Sequence, residues 1–388
     1  MNSRRFVVRG IAMGFAGALL LSACSSSSTP ASTAGSAKPA KSSAAAAGQV
    51  SRIEQEVAQM EAPQTTWTGP TSGPAATAGK KIVYLSGQES NSLDAAYGSY
   101  LQAAAKKIGW QVTIIDGKGT PTGWLSGMDQ AVALHPSGIV IFADAASLAK
   151  PISAAIADHI PVVGLHACSV TGPCHGLFTN IQEDATAIGR AEADYAIADS
   201  HGTARVIIVT HNEYGIARIK SDAMKAELAK CPGCKLLAYV NFPASESSTR
   251  TPQLVTSWVS RYGLPFYALT VGDNDWDFAV PSLRADSVPP SKVILIGSDG
   301  IPSAYQRIRA GNQYQVATVP EPAQEEAYYA LYQMNRALHG MSPSTWGPPV
   351  YLVTHSNVNA EGGANNAFDP ANHYRQHFVS LLTTGKTS

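Results

Sequence analysis

The sequence predicts an α/β protein with two doubly wound parallel-sheet lobes. From residue 80, short apolar segments alternate with longer segments whose apolar residues have helical spacing. This alternation continues to about residue 165 and restarts at residue 205, which indicates two consecutive α/β units. Short apolar strands separated by helices are typical of a parallel sheet with helices on both faces. A length of 388 residues also suits two domains.

The individual elements follow from the same periodicity. In the first unit, strands are predicted at residues 82–86, 112–115, 138–142 and 162–165, and helices at 95–108, 123–134 and 147–158. In the second unit, strands are predicted at residues 205–210, 235–240, 266–271 and 292–297, and helices at 216–230, 251–261 and 277–285. A further helix at 323–338 carries several tyrosines, which we interpret as core packing rather than a partner surface.

Charge and hydropathy exclude two classes of protein. The chain has 28 Lys plus Arg against 28 Asp plus Glu, and only 14% of its residues are charged. A protein that binds nucleic acid through the phosphates needs a clustered excess of Lys and Arg, so no nucleic-acid partner is expected. The one long apolar run, residues 11–21, is too short to span a bilayer as a mature helix. We therefore expect a soluble folded body.

Residues 1–23 have the pattern of a secretory signal peptide, with arginines before the apolar run and small residues after it. The run ends in Leu21-Ser22-Ala23-Cys24, which resembles the bacterial lipoprotein processing box. In that family the cysteine receives a diacylglycerol and becomes the new N-terminus. Because two acyl chains anchor a protein stably, we expect attachment through Cys24 to the extracytoplasmic or periplasmic face of a membrane. Ser3-Arg4-Arg5 leaves twin-arginine export open.

Residues 24–79 are expected to form a tether. Residues 25–48 contain only Ser, Ala, Thr, Pro, Gly and Lys, which cannot bury enough apolar area to compensate for ordering the backbone. Residues 50–61 have helical periodicity. Residues 65–79, rich in Pro, Gly and Thr around Trp67, predict an extended segment along the folded body.

Four cysteines remain once Cys24 is assigned to the lipid. They form two closely spaced pairs, Cys168 with Cys174 and Cys231 with Cys234. In an oxidising compartment these pairs predict two local disulfides. A redox dithiol is the alternative for the second pair, but the C-terminal end of the preceding helix disfavours a thiolate there. A zinc site that combines the four cysteines with His175 has unmatched spacing, and no metal is expected.

Enzymatic motifs fail on their spacing. The glycine-rich segments at 117–123 and 73–80 miss the dinucleotide and phosphate-loop patterns by one residue. The sequence has neither a Gly-x-Ser-x-Gly elbow nor a His-Glu-x-x-His pair. We therefore predict no catalytic residue, no cofactor and no enzymatic activity.

Polar residues recur just beyond the carboxyl ends of the predicted strands. They are Asn91, Asp94, Asp116, Asp144, His166, His211, Glu213, Asn274, Asp275 and Asp299. In open α/β sheets, ligands bind in the crevice beyond these strand ends, so the side chains are expected to converge on a site. The alternative is that Asp and Asn simply favour loops and helix N-caps.

An ordered series of motifs over about residues 80–355 resembles the periplasmic substrate-binding proteins of ABC importers, of the ribose-binding, type I class. Its marks include Lys81-Ile82-Val83-Tyr84-Leu85, His159-Ile160-Pro161-Val162-Val163-Gly164, Asn274-Asp275 and Ile294-Leu295-Ile296-Gly297-Ser298-Asp299-Gly300. The resemblance implies two lobes joined by a three-segment hinge that closes over the ligand. The first lobe is then 80–180 plus 322–350 and the second 181–321 plus 351–388. The crossings fall near Asn180, Glu321 and Pro349.

The resemblance also implies a set of ligand-binding residues. In chain order they are Asn91, Asp94, Asp144, Lys220, Phe242, Asn274, Trp276, Asp299 and Glu321. Leu93 and Asp94 stand where the family often has aromatic residues that stack on a sugar ring. Lys220 replaces an Arg and Glu321 a hinge Gln, so the cleft is more acidic than a plain hydroxyl-binding site. The implied ligand is a sugar, polyol or related polar compound. This class includes compounds with an amine, whose positive charge Asp94 or Glu321 would pair.

By this resemblance the chain is a monomeric, membrane-anchored solute-binding protein whose partners are a small polar ligand and an ABC permease. One alternative is a ligand-sensing receptor subunit for a membrane kinase or chemoreceptor. The other is a secreted enzyme on the same scaffold. The ligand-binding core of a repressor is set aside, because a signal peptide rather than a DNA-binding headpiece precedes residue 80.

Overall fold

The computed structural model describes residues 40–387, and the predicted signal peptide and Cys24 lie outside the described residues. The first element is helix α1 (Ala40–Met60), which precedes two α/β lobes. Each lobe is built on one largely parallel sheet with helices on both faces. The predicted fold class is thereby confirmed. None of the helices described combines the length and the apolar content that crossing a bilayer requires.

The first lobe contains a five-stranded parallel sheet in the order β2-β1-β3-β4-β5. Its strands are β1 (Lys81–Ser86), β2 (Gln111–Asp116), β3 (Gly138–Ile141), β4 (Val162–Leu165) and β5 (Thr179–Ile181). Its helices are α2 (Ser92–Lys107), α3 (Pro121–Ala133), α4 (Ala149–Ala157) and, later in the chain, α10 (Ala323–Leu338). Alternate residues of β1 face opposite sides, so Ile82 and Tyr84 pack beneath α2 and α10 while Val83 and Leu85 pack beneath α3 and α4.

The second lobe contains a six-stranded sheet in the order β11-β10-β9-β8-β6-β7, with only β11 antiparallel. Its strands are β6 (Arg205–Thr210), β7 (Lys235–Asn241), β8 (Phe266–Thr270), β9 (Val293–Asp299), β10 (Gln315–Pro320) and β11 (Val353–Thr354). Its helices are α5 (Ala185–Asp199), α6 (Gly215–Ala229), α7 (Ser247–Tyr262), α8 (Asn274–Ala285) and α9 (Pro302–Ala310). Ile208 packs beneath α5 and α6, and Ile207 packs on the opposite face beneath α7 and α8.

The last helix, α11 (Tyr374–Thr384), packs differently from the expected lobe division. Residues 351–388 were expected in the second lobe, and β11 does join its sheet. In contrast, Tyr374, Phe378 and Leu381 belong to the apolar cluster of the first lobe, together with residues of α2 and α10. Their spacing gives α11 one apolar face, and α10 presents the surface that this face covers.

The segment before β1 also departs from a plain tether. Ile53 and Val57 of α1 are buried in the apolar cluster of the second lobe. Further along, Trp67 packs edge-on against Phe378, and the backbone N–H of Ala76 donates to Leu382 O at 2.7 Å. The predicted helical and extended stretches are therefore present, and residues 53–79 contact both lobes.

Both predicted disulfides are present, Cys168–Cys174 and Cys231–Cys234. Cys231 follows Lys230, the C-terminal cap of α6. This position at the negative end of the helix dipole disfavours a thiolate, so the structural interpretation of the pair is retained over the redox alternative.

Candidate functional site

A cavity of about 90 Å³ lies between the two lobes, at the carboxyl ends of β1, β3 and β4 on one side and β6, β8 and β9 on the other. It occupies the crevice in which open parallel sheets bind ligands. Most of the predicted ligand-binding residues line it, namely Asn91, Asp94, Lys220, Asn274, Asp299 and Glu321. The convergence that was expected from strand-end positions is therefore seen for Asn91, Asp94, Asn274 and Asp299, and Lys220 and Glu321, which the resemblance implied, lie with them.

The structure does not bring Asp144, Phe242 and Trp276 to the cavity wall. Asp144 folds back on its own loop, where its Oδ2 accepts from Ser147 Oγ at 2.8 Å and from Ser147 N at 3.0 Å. Trp276 is fully buried in the core beneath α8, and its Nε1 donates to Ile296 O. Phe242 belongs to the same core cluster. Neither aromatic ring can therefore supply the apolar face expected at the ligand.

Three polar or aromatic cavity residues had no role in the sequence-based site, namely Gln88, Phe142 and Tyr214. His166 and His211 were expected there as strand-end residues, but they were not among the residues that the family resemblance implied. His166 and His211 directly follow β4 and β6, so their strand-end positions were a usable signal. Tyr214 had no comparable signal, because its place in the cavity depends on how the two lobes meet.

The two lobes contact each other beside the cavity. The ring of Tyr214, just before α6 in the second lobe, lies 5.1 Å from the ring of Trp124 in α3 of the first lobe. Trp124 is fully buried, and its Nε1 donates to Gly87 O at 3.0 Å. This contact joins the two lobes beside the cavity that lies between them.

Lys220 is the cation at the centre of the site. Its Nζ lies 3.1 Å from Glu321 Oε1, 3.5 Å from Asp299 Oδ1 and 3.5 Å from Ser298 Oγ. Burial disfavours the charged form, but Glu321 and Asp299 outweigh it and raise the pKa of Lys220. For Glu321, burial is likewise outweighed by His166 and Lys220, which lower its pKa. The two groups therefore form a buried ion pair.

His166 extends this network into the first lobe. Its Nε2 lies 2.8 Å from Glu326 Oε2 and 3.4 Å from Glu321 Oε2, and the hydroxyl of Tyr97 donates to Glu326. His166, Glu321 and Glu326 are also the residue types that bind a metal, and their ligand atoms lie within 4.8 Å of one another. A metal-bound histidine normally donates its second ring nitrogen to a neighbour, but His166 Nδ1 has no partner among the described residues. The contacts fit a hydrogen-bond network better than a metal site.

His211 carries a fixed positive charge in the opposite wall. Its Nδ1 lies 2.8 Å from Phe242 O, and its Nε2 lies 3.1 Å from Asp275 Oδ2. Both neighbours are acceptors, so both ring nitrogens donate and the imidazolium form fits the site. Burial opposes this charge, yet Asp275 outweighs burial and raises the pKa of His211 to about 9.

The loop that carries Asp299 is held by a buried carboxylate, Asp273. Asp273 Oδ2 accepts from Thr318 Oγ1 at 2.6 Å and from Gly300 N at 2.9 Å, and its Oδ1 accepts from Gln315 Nε2 at 2.6 Å. Asp299 has φ of 95°, a region that non-glycine residues rarely adopt. Such backbone strain persists only where the surroundings over-determine it, and Asp273 supplies that constraint here.

Asn91 and Asp94 begin α2 and face the cavity from the first lobe. Asn91 Oδ1 accepts from Leu93 N at 2.8 Å and caps the helix, which leaves the Asn91 amide NH₂ to donate towards a ligand. Asp94 Oδ2 accepts from Gln88 N at 2.7 Å. Burial, followed by the like charges of Asp299 and Glu321, raises the pKa of Asp94 well above its usual range.

Two parallel α/β lobes around a cavity of mixed polar and apolar lining, reached by strand-end residues of both lobes, define a bilobal ligand-binding protein. A family model described as "Periplasmic binding protein domain" matches residues 82–342, and the chain belongs to this family. No curated protein sequence shows significant similarity to the chain.

Solved structures share the fold. The myo-inositol-binding protein of Caulobacter, bound to myo-inositol, is 22% identical, with a TM-score of 0.65 over 76% of this chain and 100% of that one. An ABC transporter solute-binding protein of Mycobacterium smegmatis with bound glycerol is 21% identical, with a TM-score of 0.63 over 74% and 97%. One from Agrobacterium vitis with bound allitol is 18% identical, with a TM-score of 0.65 over 72% and 97%.

Proposed function

We propose that this protein is an extracytoplasmic, membrane-anchored solute-binding protein that captures a small polar ligand of the sugar or polyol class and delivers it to an ABC permease. The observation that carries the proposal is the cavity between the lobes, at the carboxyl edges of both sheets. Asn91 and Asp94 reach it from one lobe and Lys220 and Asp299 from the other. A ligand bound there would contact both lobes at once, which is how hinge closure is coupled to binding.

The size of the cavity supports a ligand of this class. A volume of about 90 Å³ is several times the roughly 10–15 Å³ that a cavity needs to admit one water molecule, so the site has room for a small solute. Myo-inositol, glycerol and allitol, bound in the structural neighbours, are all polyols.

The chemistry of the lining supports the same class. Amide, ammonium and carboxylate groups of Asn274, Lys220 and Asp299 offer both donors and acceptors, as a polyhydroxylated ligand requires. Apolar side chains such as Leu93, Phe142, Ile216 and Val271 complete the lining and can contact the carbon skeleton of such a ligand. A ligand dominated by aromatic or aliphatic surface would leave these polar groups unpaired, at a cost of about 1–3 kcal/mol each.

Binding is tested by measuring melting temperatures against a set of sugars, polyols and amines, followed by calorimetric titration of each compound that raises Tm. A ligand that binds only the folded state stabilises it by mass action, about 2.7 kcal/mol at a concentration of 100 Kd. Asp299→Asn should abolish the shift, whereas Asp129→Asn, an exposed acid on α3, should keep it. Failure of every compound to shift Tm would contradict the proposed ligand class.

Anchoring and delivery are tested separately. Cys24→Ala should move the protein from the membrane fraction to the soluble fraction, because the acylated thiol is lost. Ligand uptake by cells should fall with the same variant if the protein serves a permease. Unchanged uptake together with ligand-dependent kinase or chemotaxis signalling would favour the sensory alternative.

A further inference from the structure

Asp94 is a buried carboxylate on the cavity wall, and no cation of residues 40–387 pairs with it. It is 4% exposed and lies in the first turn of α2. Its Oδ2 accepts one backbone hydrogen bond, from Gln88 N, and within residues 40–387 its Oδ1 accepts none. The N-terminus of α2 favours a negative charge at this position and so opposes in part the effect of burial on Asp94.

The cations of the site are already used by other carboxylates. Lys220 contacts both Glu321 and Asp299, so one ammonium group serves two acids. Glu321 additionally contacts His166. Of the three acids on the cavity wall, Asp94 is therefore the one for which the described residues provide no ion pair.

His211 does not change this balance. Its charge is matched by Asp275, which its Nε2 approaches to 3.1 Å. His166 is likewise matched by Glu326 at 2.8 Å. The charged neighbours that act most strongly on Asp94 are Asp299, Glu321 and Glu89, and all of them are acids.

We infer that the ligand is a cation, an amino sugar or an amine-bearing polyol, and that its ammonium group pairs with Asp94. This inference rests on the proposed solute-binding function and specifies the class of solute. A charge-assisted hydrogen bond between an ammonium group and a carboxylate is roughly twice as strong as a neutral one. It would also offset the desolvation that an isolated buried carboxylate otherwise suffers. Glu321, the other acid considered from the sequence, is already paired by Lys220.

A linked proton release follows from the surroundings of Asp94. Its titratable neighbours in space are Glu89, Asp299, Glu321, Tyr84 and Tyr214. Burial and the three acids raise its pKa, so part of the ligand-free protein holds a proton on Asp94. An ammonium ligand displaces that proton. Affinity for the amine should therefore rise with pH until the ammonium group itself deprotonates.

The test is calorimetric titration of the full folded protein with matched pairs of compounds, glucosamine against glucose and glucamine against sorbitol. We expect at least one amine to bind about 10-fold or more tightly than its neutral partner. Asp94→Asn should remove this preference while keeping the hydrogen bond from Gln88 N, and Asp129→Asn should keep it. Titrations in two buffers of different ionisation enthalpy should show proton release for the wild type only.

The possible outcomes separate this inference from the proposed function. If glucose and sorbitol bind as tightly as the matching amines, the inference is overturned and the solute-binding function is left intact. An amine preference that survives Asp94→Asn would overturn the role of Asp94. Absence of binding by any sugar, polyol or amine of the wider set would overturn both the inference and the proposed ligand class.

Discussion

The Lys220 ammonium lies 3.1 Å from the carboxylate of Glu321, and both side chains are almost fully buried. Lys220 belongs to α6 of the second lobe, whereas Glu321 lies on the segment that leads from β10 back to α10 of the first lobe. The other oxygen of Glu321 is 3.4 Å from Tyr97 and from His166, both in the first lobe. A single carboxylate thus links the two lobes through charged and polar contacts.

Replacing Lys220 should therefore damage stability as well as binding. Lys220→Met leaves Glu321 and Asp299 without their cation, and breaking a buried ion pair on one side costs about 3–5 kcal/mol. We expect a loss of this order in the free energy of unfolding, measured with urea at pH 7. The loss should shrink as the pH falls below 7, because burial without the Lys220 cation raises the pKa of both orphaned carboxylates and they become neutral.

A matched control is available on the same helix. Lys225 is exposed on α6, so Lys225→Met should change the free energy of unfolding by no more than about 0.5 kcal/mol. Equal effects of the two substitutions would show that the Lys220 network contributes nothing beyond a surface charge.

The pairing of His211 with Asp275 should make stability depend on pH in a defined window. The pKa of His211 is raised from 6.5 to about 9, so its proton stabilises the fold fully below pH 6.5. This contribution is lost as the pH rises through 9. For a shift of this size the loss is on the order of 3 kcal/mol. Urea unfolding at pH 6 and pH 9.5 measures it.

Asp275→Asn isolates the contribution of this pair, since the neutral amide can still accept from His211 but no longer favours the imidazolium. The difference in stability between the wild type and the variant should be large at pH 6 and small at pH 9.5. A difference that stays constant between these two pH values would contradict the ionic pairing.

The fold and the cavity could be predicted because both follow from chain order. Parallel strands end on one edge, so Asn91, Asn274 and Asp299 could be placed near one another without knowledge of any contact. The direction of a side chain is a different matter. Trp276 lies two residues after Asn274, yet it turns into the core of the second lobe whereas Asn274 lines the cavity. Successive helical residues are rotated by about 100°, and this rotation decides which side chain faces the core and which faces the cavity.

Contacts between distant parts of the chain could not be predicted from the sequence either. Tyr214 meets Trp124 only because the lobes approach each other, and no local pattern encodes that approach. The apolar face of α11 could be recognised from Tyr374, Phe378 and Leu381, but periodicity does not say which lobe the face covers. The composition of residues 25–48 likewise gave no indication of the contacts that α1 makes further along.

The contact between Tyr214 and Trp124 should contribute to ligand retention. Tyr214→Ala removes an aromatic pair worth about 0.5–1.5 kcal/mol across the cleft. We expect ligand affinity to fall by about 2- to 10-fold, chiefly through a faster dissociation rate, with little change in the association rate. Stopped-flow measurement of the intrinsic tryptophan fluorescence, on mixing with each ligand of a series, gives both rates. If Trp124 reports closure, the ligand-dependent change in fluorescence should disappear in Trp124→Phe. An unchanged dissociation rate in Tyr214→Ala would argue against a closing contact.

Residues 40–79 should stabilise the folded body rather than act as a passive tether. Ile53 and Val57 are buried against the second lobe, and burial of such a side chain is worth about 1.5–3 kcal/mol. On the first lobe, Thr77 O accepts from Trp110 Nε1 at 2.9 Å, and Pro74 O accepts from Asn335 Nδ2 at 2.6 Å. A protein that begins at residue 80 should therefore melt about 5 °C or more below one that begins at residue 40, measured by calorimetry at equal concentration.

Ile53→Ser should reproduce part of this loss in melting temperature, whereas the substitution Arg52→Ser at its exposed neighbour should not. Equal melting temperatures for the two truncations would show that residues 40–79 act as a simple spacer and do not stabilise the folded body.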